Sequence, residues 1–361
     1  MNTLRLLIVE NDEQDLQVCR ASVAKYQDEK KRSIKLVECK NLEDAFAKLD
    51  NSFDGAIVDL RLTGAGNEGN EVVKRIAEFQ FRIPVAIFTG TPDAAISFPS
   101  SIGIFKKGEI QYVDLIEDFW GIYNTGLTRI MGGRGEIEQT LFKVFQKNLL
   151  PNKNTWVAYG KVEPERTEKA LLRHTLNHLL QLLDEDGVHC FPEEVYIHPP
   201  LNTDLRTGSI VKNAKDGSHS VVLNPACDLA IRNGGTSKTD RILVVEIEPS
   251  KTVINKALDK IDKKDKRYSK VKSVLGNNYT DYYHWLPKTN YFQGGFLNFR
   301  KLSTLNKQEF LLAFSLPELQ ISPFFVKDIV SRFSSYYARQ GQPDIDAEKQ
   351  ISLFAAPDEA K

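Results

Sequence analysis

Cysteine is scarce in this chain, with four in 361 residues: Cys19, Cys39, Cys190 and Cys227. They show neither paired metal-type spacing nor a disulfide framework, and such usage fits free thiols in a reducing cytosol. Net charge is missing as well, since 48 Lys and Arg balance 48 Asp and Glu. That balance excludes bulk electrostatic attraction to nucleic acid or membrane and leaves only local patches. No run approaches the roughly 18–20 apolar residues of a membrane span. The opening MNTLRLLIVENDEQ has an apolar stretch too short for a signal peptide before it meets acids. These absences imply a soluble, cytoplasmic protein. What is present is a hydrophobic content of 41%, enough for a proper core, at a length that implies two or three domains.

The first third alternates two periods. Short apolar runs at LRLLIV (4–9), SIKLVEC (33–39), GAIV (55–58), IPVAIF (83–88) and IGIF (102–105) read as strands. Between them lie helical patterns: Leu16, Cys19, Val23 and Tyr26; NLEDAFAKLD (41–50) capped by Asn41; NEVVKRIAEF (70–79); and VDLIEDFWGIY (113–123). Apolar strands alternating with helices make a parallel sheet covered on both faces. In such sheets chemistry gathers at the carboxyl ends of the strands.

Those ends carry a distinctive set. Glu10, Asn11 and Asp12 follow the first strand, Asp59 the third, Thr89 the fourth and Lys106 the fifth. An aspartate becomes a useful nucleophile only when a phosphoryl donor is held in line and charge is neutralised. A hard divalent ion on carboxylates and a carbonyl neutralises it. An ammonium adds a second positive charge, and a hydroxyl captures the new phosphate and pulls its loop inward.

With these residues in view, positions 1–125 resemble a response-regulator receiver domain. The resemblance implies a flavodoxin-like, doubly wound five-stranded parallel α/β sheet. It implies Asp59 as phosphoacceptor, Thr89 as switch hydroxyl, Lys106 as the phosphate-contacting lysine, and magnesium held by Glu10, Asn11, Asp12 and Asp59. The sequence departs from the family's pattern in three ways. Asn11 removes one negative charge from the metal pair. Lys107 stands where a proline is expected. TGTPDAAISFPSSI (89–102), broken by Pro92 and Pro99, leaves room for a fourth helix of one or two turns at most.

A GGRG turn (132–135) reads as a hinge before EIEQTLFKVFQKNLL (136–150), whose Ile137, Leu141, Val144, Phe145 and Leu149 make one apolar stripe. PERTEKALLRHTLNHLLQLLDEDG (164–187) is a stronger helix with Gly187 as its stop. Its leucines cover more than one face, so it is expected to lie between two neighbours. His174 and His178 are one turn apart, a spacing that serves either packing or a metal site completed by His189 or Cys190.

From Val195 the texture turns to β. Strands are expected within YIHPPLNTDLRTGSIVKN, SVVLNPACDLAI (220–231), RILVVEIEP (241–249) and GGFLNFRKL (294–302). Short strands with long insertions imply a small closed barrel. Over about thirty residues, TGSIV and SVVLNPACDL are similar to the opening of SH3-like barrels of PemK/MazF-type toxins, with no catalytic residue matched. Cys227 and Asp228 read either as a thiol or acidic output site, with His219 or His284 as base, or as a buried turn. KALDKIDKKDKRYSKVKS (256–273) and the aromatics through Phe292 combine lysines with rings. That mixture suits single-stranded nucleic acid, although Asp259, Asp262 and Asp265 equally make an ordinary charged helix surface. A capped amphipathic helix closes the chain over 322–345, and its Arg332, Tyr337, Arg339 and Gln342 either recognise a partner or anchor the helix end.

The expected organisation is a receiver (1–125), a helical linker (126–194), a mainly β output domain (195–315) and a C-terminal helix and tail (316–361). The whole arrangement resembles the response-receiver proteins of bacterial conflict and antiphage systems, which implies a histidine-kinase-like or other ATPase partner. Three functions stay open. The first is a two-component-type signalling protein whose receiver gates its output. The second is a receiver-gated nuclease or thiol hydrolase using Cys227 and Asp228. The third is a scaffold that docks an ATPase whatever the state of Asp59.

Overall fold

The computed structural model describes residues 3–63, 66–183, 189–232, 237–339, 346–348 and 350–351. It divides into two units, Met1–Asp186 and Gly187–Lys361. The helices expected as a linker up to residue 183 cluster with the first unit. Gly187 and Gln342 lie outside the described residues.

The first unit opens with β1 (Thr3–Val9), α1 (Glu13–Lys30), β2 (Ser33–Cys39), α2 (Leu42–Lys48), β3 (Gly55–Val58) and α3 (Glu68–Glu78). It continues through β4 (Val85–Thr89), β5 (Ser101–Lys106) and α4 (Tyr112–Asn124). All strand pairs are parallel, in the order β2-β1-β3-β4-β5. Alternation along β1 shows why the sheet is covered twice: Leu4, Leu6 and Ile8 enter the core under α1 and α4, while Leu7 and Val9 enter the core under α2 and α3. Asn41 caps α2 as expected, accepting from the Asp44 amide at 2.8 Å. Between β4 and β5 the fourth helix shrinks to a single 3-10 turn, Pro92–Ala94.

Among the described residues this unit continues with the α-helices α5 (Leu127–Met131), α6 (Glu136–Val144), α7 (Lys153–Val162) and α8 (Pro164–Leu180). The GGRG turn is anchored, since the Gly133 amide donates to the Asn51 carbonyl at 2.7 Å. Of the expected stripe on α6 and beyond, Val144 is buried while Phe145 is half exposed.

The second unit comprises β6 (Tyr196–Ile197), β7 (Ser209–Lys212), β8 (His219–Val222), α9 (Ala226–Leu229), β9 (Arg241–Glu248), α10 (Ser250–Leu258) and α11 (Lys264–Leu275). Next come β10 (Tyr283–Leu286), β11 (Gly295–Asn306), α12 (Lys307–Ala313), β12 (Leu319–Ile321) and α13 (Pro323–Tyr337). Its strands form one antiparallel sheet in the order β10-β11-β9-β8-β7-β12-β6. The mainly β domain is there as expected, as a curled seven-stranded sheet that forms a half-barrel, since the end strands β10 and β6 do not pair with each other among the described residues. Helix α13 covers one face, burying Ile329 against Val221, Val245 and Phe299. The polar set at its end anchors it: Arg332 donates to the Tyr283 carbonyl at 3.0 Å, Tyr337 to the Phe299 carbonyl at 2.5 Å, and Arg339 pairs with Asp281. No helix among the described residues is long and apolar enough to cross a membrane.

Glu248, at the end of β9, is the main buried charge of this sheet. A register shift between Leu297 and Leu302 makes β11 bulge there, bringing Asn298 and Lys301 onto one carboxylate. Tyr283 donates to Glu248 at 2.7 Å, Lys301 at 2.8 Å and Asn298 at 3.2 Å. Burial alone would raise its pKa, but Lys301, Tyr283 and Asn298 outweigh it and hold the carboxyl down at about 2. A depressed folded pKa contributes stability present above the ordinary value of 4.5 and lost as pH falls through 2. Glu248→Gln should therefore cost on the order of 2 kcal/mol at pH 7 and flatten the loss of stability between pH 4.5 and 2. Urea midpoints measured across that range check this; parallel pH profiles for parent and variant would refute it.

Candidate functional site at the carboxyl ends of the parallel strands

The parallel sheet brings β1, β3, β4 and β5 side by side, so the residues leaving their ends converge. Glu10 is 2% exposed and Asp59 7% exposed, both carried past the rim by strands that are apolar on both faces. Thr89 is fully buried at the end of β4, its hydroxyl accepting from the Thr91 amide at 3.3 Å. Gly69, at the start of α3, lets that helix close onto the site, because a Cβ there would lie 2.1 Å from the Asp59 carbonyl oxygen.

The lysine of the site is Lys107, not Lys106. The Lys107 ammonium donates to Glu10 Oε2 at 2.6 Å, Asp15 Oδ2 at 2.6 Å and Asp59 Oδ2 at 2.8 Å. Lys106 is half exposed, with Glu109 at 3.7 Å as its partner. The reason is strand parity. Ile104 and Lys106 share the exposed face of β5, whereas Phe105 packs on the core and Lys107 leaves the strand on the same side. Gly108 follows at φ +90°, a turn conformation that suits glycine. The turn after the site's lysine is thus made by glycine.

Asp15 is the acid that sequence reasoning missed. It lies in the first turn of α1, next to the buried Leu16, so the helix that packs Leu16 also aims Asp15 at the strand ends. Two expected metal ligands point elsewhere. Asn11 is exposed. Asp12 is the N-cap of α1, its Oδ1 accepting from the Gln14 amide at 2.7 Å and the Asp15 amide at 3.3 Å.

Charge in the pocket is self-balanced in part. Burial raises the Glu10 pKa, opposed by the bond from Lys107 and by the Asp12 amide at 3.0 Å. Burial also works against the Lys107 charge, yet its bonds to Asp15, Asp59 and Glu10 prevail and hold the ammonium's pKa above its ordinary range. On Asp59, Oδ2 is taken by Lys107, while among the described residues Oδ1 has only a long contact of 3.4 Å to the Arg61 amide. Among the described residues, one carboxylate oxygen of Asp59 therefore carries little hydrogen bonding. The donor set does not fit a preformed magnesium site. The ammonium of Lys107 occupies the point where Glu10, Asp15 and Asp59 converge, so the three carboxylates are spent on a lysine where a cation would have to sit.

The other sequence-derived candidates are scattered. Cys227 is exposed on α9, with Asp228 Oδ1 at 3.7 Å as its polar neighbour. His219 rests edge-on against Phe292, and buried His284 faces Asp328 at 3.7 Å, so neither histidine is hydrogen-bonded to the thiol. His174 and His178 bring their Nε2 atoms to 3.3 Å of each other beside Trp156. In the basic–aromatic stretch, Tyr283 and Phe292 are buried, and Tyr279, Tyr282 and Trp285 pack around the cluster of Val253 and Val274. Those rings are largely committed to the core.

No protein-family model and no curated protein sequence matches the chain. Among solved structures, it is similar to a response regulator receiver protein from Pseudoalteromonas atlantica, at 15% identity and a TM-score of 0.26, covering 34% of this chain and 98% of that one. It is also similar to the signal receiver domain of a modulated diguanylate cyclase from Desulfovibrio desulfuricans G20, at 19% identity and a TM-score of 0.26, covering 35% and 98%. A response regulator receiver protein from Sinorhizobium medicae WSM419 gives 15% identity, a TM-score of 0.26 and coverage of 34% and 96%. The strand order and the acid, aspartate, hydroxyl and lysine at successive strand ends give the first unit the receiver fold.

Removing the ammonium should leave three converging carboxylates unpaired, two of them buried. Lys107→Met is expected to cost about 3 kcal/mol or more, while Lys106→Met should stay within about 0.5 kcal/mol. Glu10 loses its lowering partner in the Lys107 variant, so its raised pKa rises further. A raised folded pKa gives stability that is lost as pH rises through it, so the deficit should shrink from pH 8 to pH 5. Magnesium should raise the melting temperature of Lys107→Met more than that of the parent. Equal deficits for the two lysine variants, or equal magnesium shifts, would contradict this geometry.

Proposed function

We propose that the chain is a two-component-type signalling protein in which Asp59 accepts a phosphoryl group and the second unit responds to that change. The observation that carries the reading is the state of Asp59: buried, one oxygen held at 2.8 Å by Lys107 and the other nearly free. In the transfer, the free oxygen forms a bond to phosphorus while the bond from phosphorus to the donor's leaving atom breaks, and the leaving group departs with that electron pair. Lys107 offsets the charge brought in by the phosphoryl group. Its bond to Asp59 must be shared with the new phosphate, and the Thr89 hydroxyl is the group at the neighbouring strand end that can capture a phosphate oxygen. The Thr89 carbonyl accepts from the Lys107 amide at 2.9 Å, so movement of one loop is felt by the other. In this reading the donor is a histidine-kinase-like or other ATPase partner and the setting is prokaryotic antiphage defence, as the resemblance implies.

Intact-mass spectrometry after exposure to a small phosphoramidate tests the proposal. The parent and Lys106→Ala should gain one phosphoryl group, Asp59→Asn none, and Lys107→Ala should label at least about tenfold more slowly. A label retained on Asp59→Asn would overturn the assignment. An unlabelled parent would favour a scaffold that docks its partner independently of phosphate.

A further inference from the structure

The chain as a whole is neutral, but its charge is unevenly placed. Between residues 250 and 275 stand nine Lys and Arg against three Asp, an excess that the remainder of the chain offsets. The sequence offers pairs four residues apart here, Asp259 with Lys263 and Asp262 with Lys266, which on one helix would make an ordinary charged surface. The fold breaks them. Helix α10 ends at Leu258 and α11 begins at Lys264, so both aspartates fall in the connecting turn. Asp265 sits in the first turn of α11, where it serves the helix dipole.

Among the described residues none of the three aspartates forms a salt bridge, and of the nine cations only Lys256 does, with Glu248 at 3.9 Å. Arg267 and Lys270 are engaged in the fold: Arg267 donates to the Ile261 carbonyl at 2.7 Å, and the Lys270 ammonium lies 4.6 Å from the centroid of the Tyr279 ring. The remaining lysines, Lys264 and Lys272 among them, are exposed. Tyr268 is the ring of this stretch that stays in solvent, at 75% exposure. On α11, Lys264, Tyr268 and Lys272 follow one another at four-residue intervals. They form one row, the two lysines about 12 Å apart along the axis with the ring between them. A single strand uses all three, a base on the ring and a phosphate on each ammonium. A duplex hides the base faces, and an acidic peptide satisfies the lysines without using the ring.

We propose that α11 and the turn before it bind single-stranded nucleic acid, with a base stacked on Tyr268 and flanking phosphates on Lys264 and Lys272. Lys260 and Lys263, both exposed in that turn, extend the phosphate track. Stacking and phosphate contacts read no base edges, so the binding tolerates any sequence and weakens with salt.

Fluorescence anisotropy on the full chain tests this, with oligothymidylate and oligouridylate probes of about 20 nucleotides, a duplex of the same length, and circular dichroism to verify folding. The parent should bind at least one of the single strands more tightly than the duplex, and lose at least about fivefold in affinity from about 50 mM to about 200 mM salt. Lys264→Glu with Lys272→Glu should weaken binding at least about tenfold. The same change of charge at Lys143 and Lys147, exposed in the first unit, should leave it within about twofold. Tyr268→Ala should cost about fivefold or more, and Tyr268→Phe should keep the parent's affinity. A parent that binds neither single strand, a preference for duplex, equal losses from the two charge reversals, or indifference to Tyr268→Ala would overturn the proposal.

Discussion

A single ammonium at the meeting point of three carboxylates organises the first unit's site. Bringing Glu10, Asp15 and Asp59 to one place from β1, α1 and β3 sets like charges against each other in a low-dielectric rim. Lys107 makes that convergence tolerable by reaching all three within 2.8 Å. The same contact holds one oxygen of Asp59 and leaves the other nearly unbonded. Neutralising the cluster and holding a single oxygen of Asp59 are therefore two consequences of one side chain.

This arrangement also explains why the departures from the receiver pattern do not dissolve the site. Asn11 replaces an expected acid, but it is exposed and contributes nothing to the cluster; Asp15, one helical turn along, supplies a carboxylate instead. Asp12 is committed to starting α1. A proline after Lys106 would have broken the route of the chain, because the residue that enters the pocket is Lys107 and the turn that follows it belongs to Gly108.

Much of this was legible in the sequence because it depends on local periodicity. GAIV at 55–58 and SIKLVEC at 33–39 are strands with the expected bounds, and Asn41 caps its helix. The alternation of strand and helix was enough to place Asp59 and Thr89 at strand ends. The choice between adjacent lysines was not made correctly, although parity held the signal: Phe105 must face the core, so the residue two further on shares its side. Asp15 was hidden because a helix-borne acid reads as an ordinary dipole partner. The second unit was less legible, since the hydrophobic pattern of short strands does not distinguish a closed barrel from an open sheet. Closure depends on which end strands pair, and among the described residues β10 and β6 do not. The aromatics near Glu248 show the same limit, because alternation cannot tell a stacking platform from a ring that turns inward.

The most direct test of the central contact is nuclear magnetic resonance of lysine ammonium groups. An ammonium held by three carboxylates exchanges its protons slowly and gives a protected signal near neutral pH, unlike the solvated lysines around it. The account predicts such a signal that survives Lys106→Arg, vanishes in Lys107→Arg and shifts strongly in Asp59→Asn. A protected signal that disappears in Lys106→Arg, or one indifferent to Asp59, would contradict it.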